Sequence, residues 1–227
     1  MEKYSGGRTG GKNKSNGGKK NKMMIPIRII QGLMTLLVFR TILLCIRKWD
    51  DNHGLPQKTS VKAMLPSFIV GFCLGKGEST VLLVLYVAYL AAMAYSDYHS
   101  KYVYSVFYIL VSIPGYVWLF QAGDWSSIRA VLIFCLMAIV FSEVFKAFKD
   151  GDMEVFIASA PYITLLAQRM DEEAMLVLVL FLVLSLFFSI VGTAVLSIRC
   201  RKFIRKNVMV PYIYGSLFCV VLLDNLF

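Results

Sequence analysis

Apolar and polar positions alternate along this chain in blocks of about twenty residues, not with the period of a soluble strand or amphipathic helix. Six blocks stand out, at 80–96, 102–121, 128–148, 153–170, 174–198 and 208–227. Each is long enough, or nearly so, to cross about 30 Å of hydrocarbon as a helix. An earlier block at 25–46 is as long but carries Arg28 and Arg40. Arg28 can snorkel to the near interface, whereas Arg40 lies deeper and would face protein or water if the block spans. A shorter block at 64–75, with Pro66, Gly71 and Gly75, suits a re-entrant or interfacial segment. The pattern predicts an all-α, polytopic helical membrane protein. It has a six-helix core over 76–227, and an N-terminal membrane region over 23–75 with one extra span.

Composition agrees: 58% of the 227 residues are hydrophobic, against about 45–50% in a soluble domain. The formal net charge is +10, and it is uneven. Residues 1–22 hold seven basic residues and one acid among Gly, Asn and Ser, too polar to bury a core. This segment reads as a disordered cytoplasmic tail near anionic lipid. Nothing pairs basic residues with an aromatic platform, so membrane lipid is the expected partner and nucleic acid is not. Cys45, Cys73, Cys135, Cys200 and Cys219 form no Cys-x-x-Cys pair. They read as small apolar side chains, with no metal and no cofactor expected.

The connections sort by charge. Arg199-Cys200-Arg201-Lys202-Phe203-Ile204-Arg205-Lys206 has five basic residues and no acid, which the positive-inside rule places in the cytoplasm. The connections at 122–127 and around Asp171-Glu172-Glu173 are acidic and belong outside. Counting spans back, the connections at 97–101 and 149–152 are cytoplasmic too. With one span before residue 47 the basic tail joins them. If 64–75 also spanned, the tail would be outside.

That count puts two acids on one face. Asp97 ends one apolar block, and Asp152 opens another within Lys149-Asp150-Gly151-Asp152-Met153-Glu154. Asp152 has an ordinary reading as a helix N-cap, and either acid can simply be solvated. Capping does not explain Asp97, because a helix C-terminus disfavours an anion. Gly151 suits a backbone that turns tightly or approaches a ligand. Two carboxylates within reach share a proton, so that one activates water and the other donates a proton. The helix ends assign the base to Asp152 and the acid to Asp97. His99 reads as a solvated loop residue. Glu143 and Lys146, three apart, read as a helix-surface pair. Neither His53 nor His99 is placed to serve a serine or cysteine nucleophile.

Asp150-Gly151-Asp152 resembles the end of the Gly-x-Gly-Asp motif of type IV prepilin peptidases and archaeal preflagellin peptidases, membrane aspartic proteases with a six-helix core. Asp97 with Lys101 and Val103 is similar to that family's first motif, and Val210-Pro211-Tyr212 to its apolar-Pro-aromatic motif. The resemblance covers about residues 76–227. It implies an aspartic endopeptidase that removes the basic leader from a prepilin-like substrate at the cytoplasmic face of the cell membrane. Its catalytic residues would be Asp97 and Asp152. Gly151 and Lys149 would shape the loop, and Asp150 and Glu154 would attract the leader's basic residues. The chain departs from the pattern at Lys149, where the motif has its first glycine, at Glu154, often basic in the family, and at Tyr104-Ser105, often Pro-Asn. It lacks the zinc-binding cysteine pairs of the methylating region, which implies cleavage without N-methylation. Two other readings fit the same acids: a membrane scaffold of a pilus or secretion system, and a small transporter with the acids as a proton or cation site.

Overall fold

The computed structural model describes residues 17–49, 55–56, 59–75, 77, 79–144, 150–201 and 208–225. The described residues form eight helices and no strands: α1 (Gly17–Trp49), α2 (Val61–Cys73), α3 (Thr80–Ser100), α4 (Ser105–Ala122), α5 (Trp125–Glu143), α6 (Asp150–Arg169), α7 (Ala174–Cys200) and α8 (Val210–Leu223). Five are long and apolar enough to cross a membrane: the Ile25–Trp49 part of α1, then α3, α4, α5 and α7. The chain is a multi-pass helical membrane protein. The apolar blocks dictate this, because a backbone in hydrocarbon satisfies its polar groups only inside a helix or a closed barrel.

The helices are not equivalent. α3 and α6 are innermost. From Ala158 to Ala167 every α6 residue is buried, and α3 is buried along most of its length. Small residues allow it: Ala88, Ala91, Ala92 and Ala94 on α3, and Ala158, Ala160 and Ala167 on α6. Without large side chains between them, two membrane helices approach closely and pack by dispersion. Tyr86 and Tyr162 stack across the pair with ring centroids 4.5 Å apart. α4, α5 and α7 surround α6, and α8, α1 and α2 surround α3.

Alternation of helix direction gives the bundle two ends. At one, the C-termini of α3, α5 and α7 meet the N-termini of α4, α6 and α8. Here an added Cβ on Gly151 would lie 3.0 Å from Val103. The opposite end is clasped by Arg169 on α6 and Asp224 after α8, 3.1 Å apart. Asn225 adds bonds to the Cys73 carbonyl and to Arg28.

α2 has only thirteen residues, about 20 Å of helix, yet it connects these two ends. It starts beside Thr59, whose hydroxyl binds Arg47, and finishes at Cys73 against Asn225. It lies antiparallel to α1 at a very short distance. A Cβ on Gly71 would come within 2.2 Å of Thr35 Oγ1, and one on Gly32 within 2.8 Å of the Phe68 ring. α1 therefore enters the bundle at the Asp224 end, with Arg28 bonded to Asn225 there. Charge counting along the sequence puts the basic tail and Asp97 on one face; among the described residues, the Arg28 end of α1 and Asp97 lie toward opposite ends of the bundle. The reason is the α1–α2 hairpin, which adds a second traverse before α3. α1 also begins at Gly17, within the basic segment.

Candidate active site

Asp97 sits one turn before the end of α3 and is 3% exposed. α3 closes on Lys101, which adopts a left-handed backbone (φ 63°) and donates its N–H to the Asp97 carbonyl. The Asp97 side chain is held by another helix. Its Oδ2 accepts the backbone N–H of Val210, the first residue of α8, at 3.2 Å. The Val210-Pro211-Tyr212 sequence explains why. The first N–H groups of a helix have no partner inside it. Pro211, in the first turn, has none to offer and its fixed φ suits a helix start. The Val210 N–H is left pointing out of the helix, in a residue with no exposed surface, and Asp97 satisfies it.

This changes the electrostatics expected for Asp97. It lies at the C-terminus of its own helix, which disfavours an anion, but also at the N-terminus of α8, which favours one. The expectation that Asp97 is the acid because of its helix end loses its premise.

Asp152 lies in the first turn of α6 and is 5% exposed. Both acids are thus buried, on the two innermost helices, at the same end of the bundle. Gly151 is helical and has no left-handed backbone, so no tight turn requires it. What it provides is room, since α6 packs there on Val103 of the α3–α4 connection. Glu154 is half-buried and accepts a hydrogen bond from Ser105 Oγ at 2.8 Å. This bond ties α6 to the N-terminus of α4. Ser105, where the resembled family often has asparagine, is a site residue that sequence reasoning missed. A serine opening a helix gave no sign of a partner 49 positions away. Asp150 falls in the first turn of α6; its side chain and the whole of Lys149 lie outside the described residues. So do Lys146 and His53, while Glu143 ends α5 and is exposed. Ser96 braces the α3–α4 connection by donating to the Tyr102 carbonyl at 2.9 Å. His99 is exposed and packs against Tyr95, with ring centroids 4.4 Å apart.

A groove of about 360 Å³ opens beside this end, between α2, α3 and α8. Lys62, Tyr98, His99, Pro211 and Tyr214 are among its walls. Among the described residues, no three His, Cys, Asp or Glu side chains are grouped as a metal site would need.

Comparison with family models, with curated proteins and with solved structures gives no match in any of the three. The resemblance to the prepilin peptidases rests on the residues quoted above.

Proposed function

We propose that this chain is a membrane aspartic endopeptidase, with Asp97 and Asp152 as its catalytic pair. Its substrate would be the basic leader of a type IV prepilin-like protein, cut at the cytoplasmic face of the cell membrane. One observation carries the reading: two carboxylates are buried on the two innermost helices at the same end of the bundle. Buried acids in a membrane bundle are costly and serve function or pairing. Two such acids within hydrogen-bond reach would hold one proton between them, the state that hydrolyses an amide by general acid–base catalysis. Asp150 and Glu154 would add negative charge near the pair for a lysine- and arginine-rich leader. Ser105 would fix Glu154 in place.

A second reading has its own observation. The bond from Val210 to Asp97 makes this carboxylate an N-cap contributed from a neighbouring helix, which is a structural role. A scaffold without activity would keep it.

The experiment that separates the two is co-expression of the full chain with the prepilin-like proteins of the same genome, read as leader removal on a blot. Asp97→Asn and Asp152→Asn are then compared with the wild type. Loss of cleavage in each variant, with normal protein levels, supports the protease. Cleavage that survives both changes ends that reading, and no cleavage of any substrate by the wild type favours the scaffold.

A further inference from the structure

Among the described residues, an exposed charge well inside a candidate span plays no part in the active-site reading. Ile25–Trp49 of α1 is 25 residues long, about 37 Å of helix. Arg40 lies inside it, seven residues before Arg47 and so about 10 Å, or two turns, deeper. The other arginines of α1 sit at the ends of the span and have partners: Arg28 binds Asn225 and Arg47 binds Thr59. Arg40 is exposed, on the same side of the helix as Leu33, Leu37 and Leu44, each at least half exposed. Among the described residues it has no hydrogen bond or ion pair, and its neighbour Thr41 bonds back to the Leu37 carbonyl. The remaining exposed charges on the described helices lie within a turn or so of a helix end, as Lys62, Arg129, Glu143 and Arg199 do.

A guanidinium has five donors and matches a carboxylate in a two-point bond, strongest where water is absent. Within a membrane such a group pairs with an acid or faces a polar cavity. Among the described residues Arg40 faces neither. A second copy fits poorly. The exposed acids among described side chains are Glu143, at the end of α5, and Asp171, Glu172 and Glu173, in a connection. None lies at the depth of Arg40, and a two-fold dimer through α1 would set Arg40 against its equivalent.

We infer that the Leu33–Leu37–Arg40–Leu44 face of α1 docks a membrane helix of another protein. That helix carries an Asp or Glu about two turns inside the membrane, counted from the Asp97 end of the bundle. The leucines supply apolar packing on either side, and Arg40 selects the partner by the buried acid it offers.

The test uses the full chain in its native membrane, with a benzophenone amino acid at Leu37 or Leu44 and ultraviolet cross-linking. The expected adduct joins a second membrane protein, through a peptide that holds an Asp or Glu within an apolar segment. Arg40→Leu, which suits a lipid-facing helix and keeps the fold, lowers adduct yield about tenfold or more, and Arg40→Lys lowers it less. Arg40→Glu also abolishes the adduct, and exchanging the partner's acid for Arg restores it. Adducts with lipid alone, with a second copy of this chain, or with a protein whose yield ignores Arg40→Leu would overturn the inference. Cross-linking is read without leader cleavage, so this proposal and the protease reading fail separately.

Discussion

Asp97→Ala and Asp97→Asn, compared for stability and not only for cleavage, weigh the two roles open to this residue. Alanine removes the acceptor of the Val210 N–H, in a residue with no exposed surface. A buried donor left unsatisfied costs about 1–3 kcal/mol, and a bond to a charged group contributes about 1.5–3 kcal/mol. The opposing term is relief of the desolvation carried by a buried carboxylate. The net expectation for alanine is a loss of about 2 kcal/mol. Asparagine keeps an oxygen of nearly the same shape and loses only the charge, about 1 kcal/mol or less. For a chain of this size each kcal/mol moves the unfolding temperature by about 2–4 °C. Thermal unfolding in nanodiscs, followed by the fluorescence of Trp49, Trp118 and Trp125, should therefore rank wild type above Asn and Asn above Ala. The expected gap between wild type and Ala is about 4–8 °C. An alanine variant that unfolds at or above the wild-type temperature would refute the capping argument. It would mean that desolvation exceeds the bond and that the carboxylate is kept for another purpose.

Further outcomes follow from other contacts. Gly192→Ala would drive a Cβ into the Tyr212 ring and hydroxyl, so that the ring turns aside or α7 and α8 separate, at a cost of about 1–3 kcal/mol. The yield of folded protein should fall and partly recover with Tyr212→Leu. Arg169→Ala leaves Asp224 buried without its partner, a loss of about 3 kcal/mol at neutral pH. Burial already pushes the Asp224 carboxyl up, against Arg169. Its neutral form therefore favours the fold, and stability falls as pH rises through the folded value. The Arg169→Ala protein should show a steeper drop in unfolding temperature than wild type from about pH 4 to pH 7. Asp124 caps α5 through the N–H groups of Ser126 and Ser127. The Ser127 hydroxyl, first among these bonds, holds its carboxyl below the usual range. Asp124→Ala should cost about 1 kcal/mol, and the wild-type advantage should vanish as pH falls below about 4. Finally, an impermeant thiol reagent should reach Lys101→Cys from one side of the membrane and a cysteine placed at residue 2 from the other; labelling of both from one side would contradict the α1–α2 hairpin.

The helices were legible because membrane helices announce themselves by length. The blocks at 80–96, 102–121, 174–198 and 208–227 became α3, α4, α7 and α8 with ends shifted by a few residues. The direction in which the chain enters was not legible. It depends on whether the thirteen residues of α2 pass from one end of the bundle to the other, and hydropathy length gives no answer for so short an apolar helix. What carries α2 across is the close fit of Gly71 on Thr35 and Gly32 on Phe68. That fit is a pairing between two helices, and no single stretch of sequence encodes it. The positive-inside rule then pulls two ways. The basic tail leads into one end, and the Arg199–Lys206 cluster follows α7 from the other.

The two aspartates were visible for the same reason that their roles were not. An acid next to an apolar block stands out in one dimension, and its burial follows from the small residues that draw α3 and α6 into the centre. The assignment of acid and base considered each aspartate against its own helix alone. Asp97 is held by the first N–H of α8, 113 positions away, so both carboxylates face a helix N-terminus that favours an anion. If the two form a coupled pair, sites stabilised alike share the proton more evenly than sites stabilised oppositely. Breaking that balance requires moving α8, and Tyr212 against Gly192 is one of the contacts that hold it. If the pair is catalytic, Gly192→Ala should therefore shift the pH profile of cleavage as well as the stability, although neither residue is an acid.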